Sequence, residues 1–110
     1  MGRFYRAVCR FGPCHQLDSG RSAIQKLGLH RAGGRIVGFH VSDWPVPLPA
    51  ILMGRAMMGD GVIDLRKLRQ AVDATGYGGP IEVEIFNDEI WESADDGLLK
   101  LIQRRFIEHV

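Results

Sequence analysis

The most regular pattern of apolar residues begins after a glycine pair and covers residues 35–41. This run is short, mostly β-branched, and bounded by Gly34 on one side and Pro45 on the other. Such a run predicts a strand that is buried on both faces, which is typical of a parallel sheet. His40 stands at its C-terminal end.

A second strand is predicted over residues 81–86, where apolar and charged positions alternate. One face carries Ile81, Val83 and Ile85, and the other carries Glu82, Glu84 and Phe86. Alternation of this kind places the two carboxylates on one face, about 6.6 Å apart.

Two helices flank the second strand. Asp64 is placed to cap a helix with its apolar positions at Leu65, Leu68 and Val72, and Gly76 stands where the helix should end. A final helix is predicted from about Asp95 to His109, with one apolar side made by Leu98, Leu101, Ile102 and Phe106. Strands that alternate with helices imply βαβ units, and therefore an α/β fold with parallel strands in a layer or barrel.

The remaining segments are less regular. Near the N-terminus, arginines interrupt an apolar stretch over residues 4–11, which favours an exposed strand or an irregular arm. A short helix is expected from Asp18 or Ser19 to about Gly28. Residues 42–63 hold many prolines and glycines and are expected to form a binding loop, with room for two helical turns over residues 50–58.

Composition limits the possible partners. The chain has 110 residues, 45% of them hydrophobic, and 14 Lys+Arg balance 13 Asp+Glu, which is the composition of one small globular domain. A net charge of +1 gives no long-range attraction to nucleic acid or to an anionic membrane. No apolar run approaches the roughly 20 residues of a membrane span, and no signal peptide is visible, so we expect a cytoplasmic protein. Cys9 and Cys14 are expected to be reduced thiols.

Candidate chemistry lies at the ends of the two predicted strands, because ligands of parallel α/β folds bind where strands end. His40 and Glu84 could converge there on one ion, and an imidazole with a carboxylate suits Zn, Mn or Co, while more carboxylates favour Mn or Mg. The alternative is a structural histidine beside a solvated carboxylate. In a closed barrel Glu82 would lie one layer deeper, where a buried charge needs a partner such as an arginine.

The long loop offers further candidates. Arg55 could bind a carboxylate, a phosphate or sugar hydroxyls, or it could be a solvated surface cation. Trp44 and Trp91 follow the two strands and could line a sugar site or simply pack. The run Gly59-Asp60-Gly61 predicts a tight turn with positive φ and lacks the lysine and hydroxyl residue of a phosphate-binding loop.

Three segments of the chain, residues 34–44, 55–64 and 76–86, together resemble the C-terminal part of the sugar phosphate isomerase/epimerase family, which are xylose isomerase-like TIM barrels. The resemblance implies a partial (β/α)8 barrel over residues 35–110, preceded by a degenerate segment over residues 1–34. It also implies a metal at the barrel mouth, held by His40 and Glu84, and proton transfer through an enediolate with Glu84 as the catalytic carboxylate. His15, Arg55 and Trp44 are the implied substrate-binding residues, and the substrate is a sugar or a sugar phosphate.

The resemblance has two gaps. Gly12 stands where the family has a metal-binding aspartate, and the strand with the first carboxylate ligand has no counterpart, so two of four ligands are missing. We therefore expect the chain alone to bind its divalent metal (Mn, Mg, Co or Zn) weakly or not at all. The interpretation is a C-terminal part of an isomerase or epimerase that needs a complementary half-barrel chain. The alternative is a non-catalytic remnant or assembly module that forms homo-oligomers, and nucleic-acid repair is disfavoured because it needs more histidines and carboxylates.

Overall fold

Three parallel strands form the sheet in the part of the chain that the structure describes. A computed structural model describes residues 5–8, 33–47 and 49–110. Its strands are β1 (Tyr5–Val8), β2 (Ile36–Val41) and β3 (Ile81–Val83), in the order β1-β2-β3. Both neighbouring pairs are parallel, which confirms the predicted α/β class.

The central strand β2 supplies much of the core. Its Ile36, Phe39 and Val41 are buried, with Phe39 and Val41 among the largest side chains that are almost fully enclosed. A short 3-10 helix over Gly33–Arg35 leads into it. Val37 is 59% exposed, so the prediction of a strand buried on both faces fails at this position.

The third strand is shorter than the alternating pattern predicts. After Val83, the backbone N–H of Glu84 still donates to the carbonyl of Val41 at 3.0 Å, but β2 ends there. The chain beyond then pairs with the long loop, since the carbonyl of Phe86 accepts from the N–H of Arg55 at 3.1 Å. The loss of the neighbouring strand therefore ends β3, while the alternation of side chains continues.

The predicted helices on either side of β3 are confirmed. Helix α1 (Leu65–Asp73) is capped by Asp64, whose carboxylate accepts from the N–H of Lys67 at 3.1 Å. A side-chain hydrogen bond from Lys67 lowers the pKa of Asp64 below its usual value. Gly76 follows the helix with φ of +83°. The last helix, α3, covers Asp95–His109, as its pattern predicts.

The sequence pattern did not predict the short helix α2 (Asp88–Trp91). Its signal is Asn87, whose side chain caps the helix by accepting from the N–H of Ile90 at 3.2 Å. Asparagine at this position is a common N-cap.

The core lies between the sheet and helices α1 and α3. Its buried members are Ile36, Phe39, Val41, Met57, Met58, Leu65, Val72, Ile85 and Val110. The four apolar residues predicted on one side of α3 are half-buried and pack against this cluster. Two methionines of the long loop thus join the core.

The long loop contains turns, and the two helical turns suggested for residues 50–58 are absent. Backbone of Ala50 lies so close to Gly54 that no Cβ would fit there. The loop is held by a short antiparallel bridge between Asp43 and Ala56. The helix expected from Asp18 or Ser19 lies outside the described residues, and the boundary at residue 34 remains a prediction. Within the described ranges, no helix is long and apolar enough to cross a membrane.

Candidate functional site

The imidazole of His40 lies between two carboxylates at the end of the sheet. Its Nε2 is 2.7 Å from an Oε of Glu82, and its Nδ1 is 3.1 Å from an Oε of Glu84. The sheet register explains this arrangement, because His40 is paired with Glu82 across β2 and β3. Glu84 is two residues further along on the same face, as the alternation predicts. The structure therefore brings together the two residues that the sequence proposed as metal ligands.

The environment of Glu82 differs from the prediction. We expected a buried carboxylate that binds an arginine, but its side chain is 57% exposed and it contacts His40. The expectation assumed a closed barrel, whereas β3 is an edge strand of the described sheet. An exposed carboxylate stays hydrated and loses little solvation free energy on folding, so it does not need a buried arginine as a partner.

The separation of His40 and Glu84 suits a shared divalent cation. Nitrogen and oxygen donors that each lie about 2.1 Å from one metal are about 3.0–3.4 Å from each other in octahedral or tetrahedral geometry. The observed 3.1 Å between Nδ1 and Oε falls within that range, and it equally fits an N–H···O hydrogen bond between the two side chains. The side chains of His40 and Glu84 are 14% and 32% exposed, so both are partly shielded from water.

No further ligand set accompanies this pair within the described ranges. Among the residues that the structure describes, no group of three or more His, Cys, Asp or Glu residues is arranged to hold a metal. His15, the predicted substrate-binding histidine, and Gly12 lie outside the described residues. The site as described thus offers two donors.

Arg55 and Trp44 form a stacked pair beside the ends of the strands. The guanidinium carbon lies 4.4 Å from the centre of the Trp44 ring, and both residues are buried. Asn87 holds the backbone of Arg55 by donating to its carbonyl at 2.8 Å. Stacking on an aromatic face fixes the planar guanidinium in a way that suits directed binding. Trp44 is 6% exposed, so in this structure it packs against Arg55 and presents little surface to a ligand.

Trp91, the other aromatic candidate, lies at the surface. Its side chain is 54% exposed, and its ring meets that of Phe86 edge to face at 5.7 Å. The Trp91 ring is therefore accessible to a ligand at the end of α2.

The sequence reasoning missed Asp43, which organises the loop. This aspartate is 1% exposed, and its carboxylate accepts hydrogen bonds from three backbone N–H groups, those of Trp44, Gly59 and Ile63, at 2.8, 2.9 and 3.0 Å. A carboxylate just after a buried strand, followed by a Gly-Asp-Gly turn, is the signal that could have found it. Asp43 thereby connects the end of β2 to the segment after Arg55.

Comparison with known proteins decides the family. A family model described as "Xylose isomerase-like TIM barrel" matches residues 11–105. The chain belongs to this family. The resemblance that the sequence suggested is thus confirmed, and so is the fold class of a partial TIM barrel.

A solved structure extends the comparison. The chain is similar to protein SMc04130 from Sinorhizobium meliloti 1021, with 35% sequence identity and a TM-score of 0.72. The match covers 82% of this chain and 33% of that one, so the chain spans about a third of the length of its structural relative. No curated protein matches.

Proposed function

We propose that this chain carries the C-terminal part of the active site of a metal-dependent sugar or sugar phosphate isomerase or epimerase. The observation that carries the proposal is the pair His40 and Glu84, 3.1 Å apart at the ends of parallel strands, in a member of the xylose isomerase-like TIM barrel family. Active sites of TIM barrels form at the C-terminal ends of the strands.

The roles follow from the chemistry of each side chain. His40 and Glu84 would hold a divalent cation such as Mn, Mg, Co or Zn, which would polarise substrate oxygens. The Glu84 carboxylate would also accept the proton from the carbon next to the substrate carbonyl, which leaves an enediolate. Arg55 would bind a phosphate or a pair of hydroxyls through its two parallel N–H groups. Trp44 would support Arg55 from behind, and His15 would complete substrate binding.

The described residues offer two donors, which are too few for a complete site, so the proposal includes a partner. The β3 strand has an open edge within the described sheet. Open strand edges favour pairing with another strand. We propose that further barrel strands, from a complementary half-barrel chain or a second copy of this chain, cover this edge and add ligands.

Metal binding by the full chain tests the proposal. Complete structural zinc sites with thiolate ligands bind with about 10–16 kcal/mol, and an imidazole–carboxylate pair should bind Co²⁺ with less than half of that, about 4–6 kcal/mol, so Kd should be about 40 μM to 1 mM. We expect isothermal titration with Co²⁺ to give a Kd in that range, and His40→Ala to weaken binding at least tenfold. His109→Ala, at a site away from β3, serves as the control. Wild-type binding that His40→Ala leaves unchanged would contradict the proposed site.

The proposal also predicts a specific effect of Arg55→Lys. Lysine keeps the positive charge but loses the flat guanidinium that stacks on Trp44 and makes two parallel hydrogen bonds. In the assembled enzyme we expect KM for a sugar phosphate to rise about tenfold while kcat changes less than threefold. Arg66→Lys, on the exposed side of α1, is the matched control. A fall in kcat with KM unchanged would assign Arg55 to the chemical step.

A further inference from the structure

We propose that Glu82 is a positioning residue that determines which nitrogen of His40 faces Glu84. Specifically, Glu82 accepts the Nε2–H of His40, which leaves the lone pair of Nδ1 directed to the Glu84 side, where a divalent cation would bind. This inference rests on the proposed function and adds a residue to its site. It replaces the expectation that Glu82 pairs with a buried arginine.

The two contacts of the imidazole differ in length, and the difference indicates their roles. The 2.7 Å between Nε2 and Glu82 is typical of a hydrogen bond between an N–H and a carboxylate. It is shorter than the roughly 3.0–3.4 Å expected between two donors that share a metal. The 3.1 Å between Nδ1 and Glu84 falls within that range. The Glu82 contact is therefore too short for two donors that share a metal and suits a hydrogen bond, whereas the length of the Glu84 contact is compatible with a shared cation.

A neutral imidazole carries one N–H, so the two sides compete for it. Glu82 lies directly opposite His40 in the ladder between β2 and β3, so backbone pairing fixes its position relative to the ring. Metal-binding histidines usually donate their other N–H to a carboxylate or carbonyl, which sets the tautomer and raises the basicity of the ligand nitrogen. Glu82 supplies such an acceptor from within the sheet.

The tautomer of His40 can be measured directly in the full chain. The chain is labelled with ¹⁵N-histidine, and long-range ¹H–¹⁵N spectra are recorded without metal at a pH where the ring signals no longer move. We expect the Nε2–H tautomer to exceed the other by at least about tenfold in the wild type. Glu82→Gln should preserve this ratio because the amide oxygen still accepts, whereas Glu82→Leu should shift it toward Nδ1–H. The exposed Glu92→Leu should leave it unchanged.

Addition of Co²⁺ to the same samples provides the second measurement. We expect the strongest paramagnetic broadening at Nδ1 of His40, and a Kd that weakens about 10–100-fold in Glu82→Leu but changes little in Glu82→Gln. If Glu82 has only a structural role, Glu82→Leu would lower the thermal stability without changing the tautomer ratio of His40.

The possible failures are distinguishable. An Nδ1–H tautomer in the wild type, an unchanged tautomer in Glu82→Leu, or broadening centred on Nε2 would each overturn the inference. If Glu82→Leu does not fold, the wild-type tautomer alone decides. If the tautomer depends on Glu82 but Co²⁺ leaves His40 unaffected, the proposed metal site fails and the positioning of His40 by Glu82 stands.

Discussion

Under the proposed function, Glu84→Gln is expected to abolish isomerase activity once the remaining barrel strands are supplied, with the fold retained. The amide cannot accept the substrate proton as a carboxylate does, and it removes a negative charge beside His40. General base catalysis contributes about 10²–10⁴-fold in rate, so we expect a loss of that size or more. Since the side chain is 32% exposed and glutamine has nearly the same shape, the melting temperature should change by only a few degrees.

The measurement needs a barrel with all of its strands. One route is to co-express this chain with the part of the Sinorhizobium meliloti protein that the match leaves uncovered, because the two proteins share 35% identity where they align. Incorporation of deuterium from D₂O next to the carbonyl of ketose phosphates would report proton transfer directly.

Glu82→Gln is the matched comparison, because the same substitution is made two residues earlier on the same face of the sheet. Its amide oxygen can still accept the N–H of His40, so exchange should persist within about tenfold. Full exchange in Glu84→Gln together with loss in Glu82→Gln would reverse the two roles.

Part of the fold could be predicted because local pattern and tertiary structure agree for β2, α1 and α3. The stripe of Leu65, Leu68 and Val72 and the cap at Asp64 define α1 without reference to the rest of the chain. The end of β3 could not be predicted, because it depends on where the neighbouring strand β2 ends. The alternation of residues 81–86 carries no information about the length of the neighbouring strand.

The site could be predicted in part for the same reason. Alternation and the strand-end rule indicated that His40 and Glu84 could converge, and the structure brings Nδ1 and an Oε to 3.1 Å. The partner of Glu82 depends on the register between β2 and β3, which only the structure shows. In the turn over residues 59–61, Gly59 has the predicted positive φ of +91°. Gly61 is explained differently, because a Cβ there would collide with the carboxylate of Asp43.

Asp43→Ala is expected to produce the largest loss of stability. The substitution removes the acceptor of three backbone N–H groups around a carboxylate that is 1% exposed. Leaving a buried donor unsatisfied costs about 1–3 kcal/mol. Gly59 is exposed enough for water to replace part of its bond, so we expect a total of roughly 3–5 kcal/mol. Urea unfolding of the full chain measures this loss.

Two further variants separate the hydrogen bonds from the charge. Asp73→Ala removes a carboxylate that forms an ion pair with Arg69, at 3.5 Å on the surface of α1, and it should cost less than about 1 kcal/mol. Asp43→Asn has nearly the same shape as the wild type, but its amide group would face one of the N–H donors. We expect the free energy of unfolding of Asp43→Asn to lie between those of Asp43→Ala and the wild type.

Asp43→Ala should also loosen the loop that carries Arg55, in addition to lowering the free energy of unfolding. The reason is that the Asp43 carboxylate connects the end of β2 to this loop. In the wild type Arg55 is 9% exposed, and its backbone is paired with Phe86 and Asn87. We expect trypsin to cleave after Arg55 much faster in Asp43→Ala than in Asp73→Ala, at a urea concentration where both remain folded. Equal cleavage rates would show that the pairing of Arg55 with residues 86 and 87 holds the loop without Asp43.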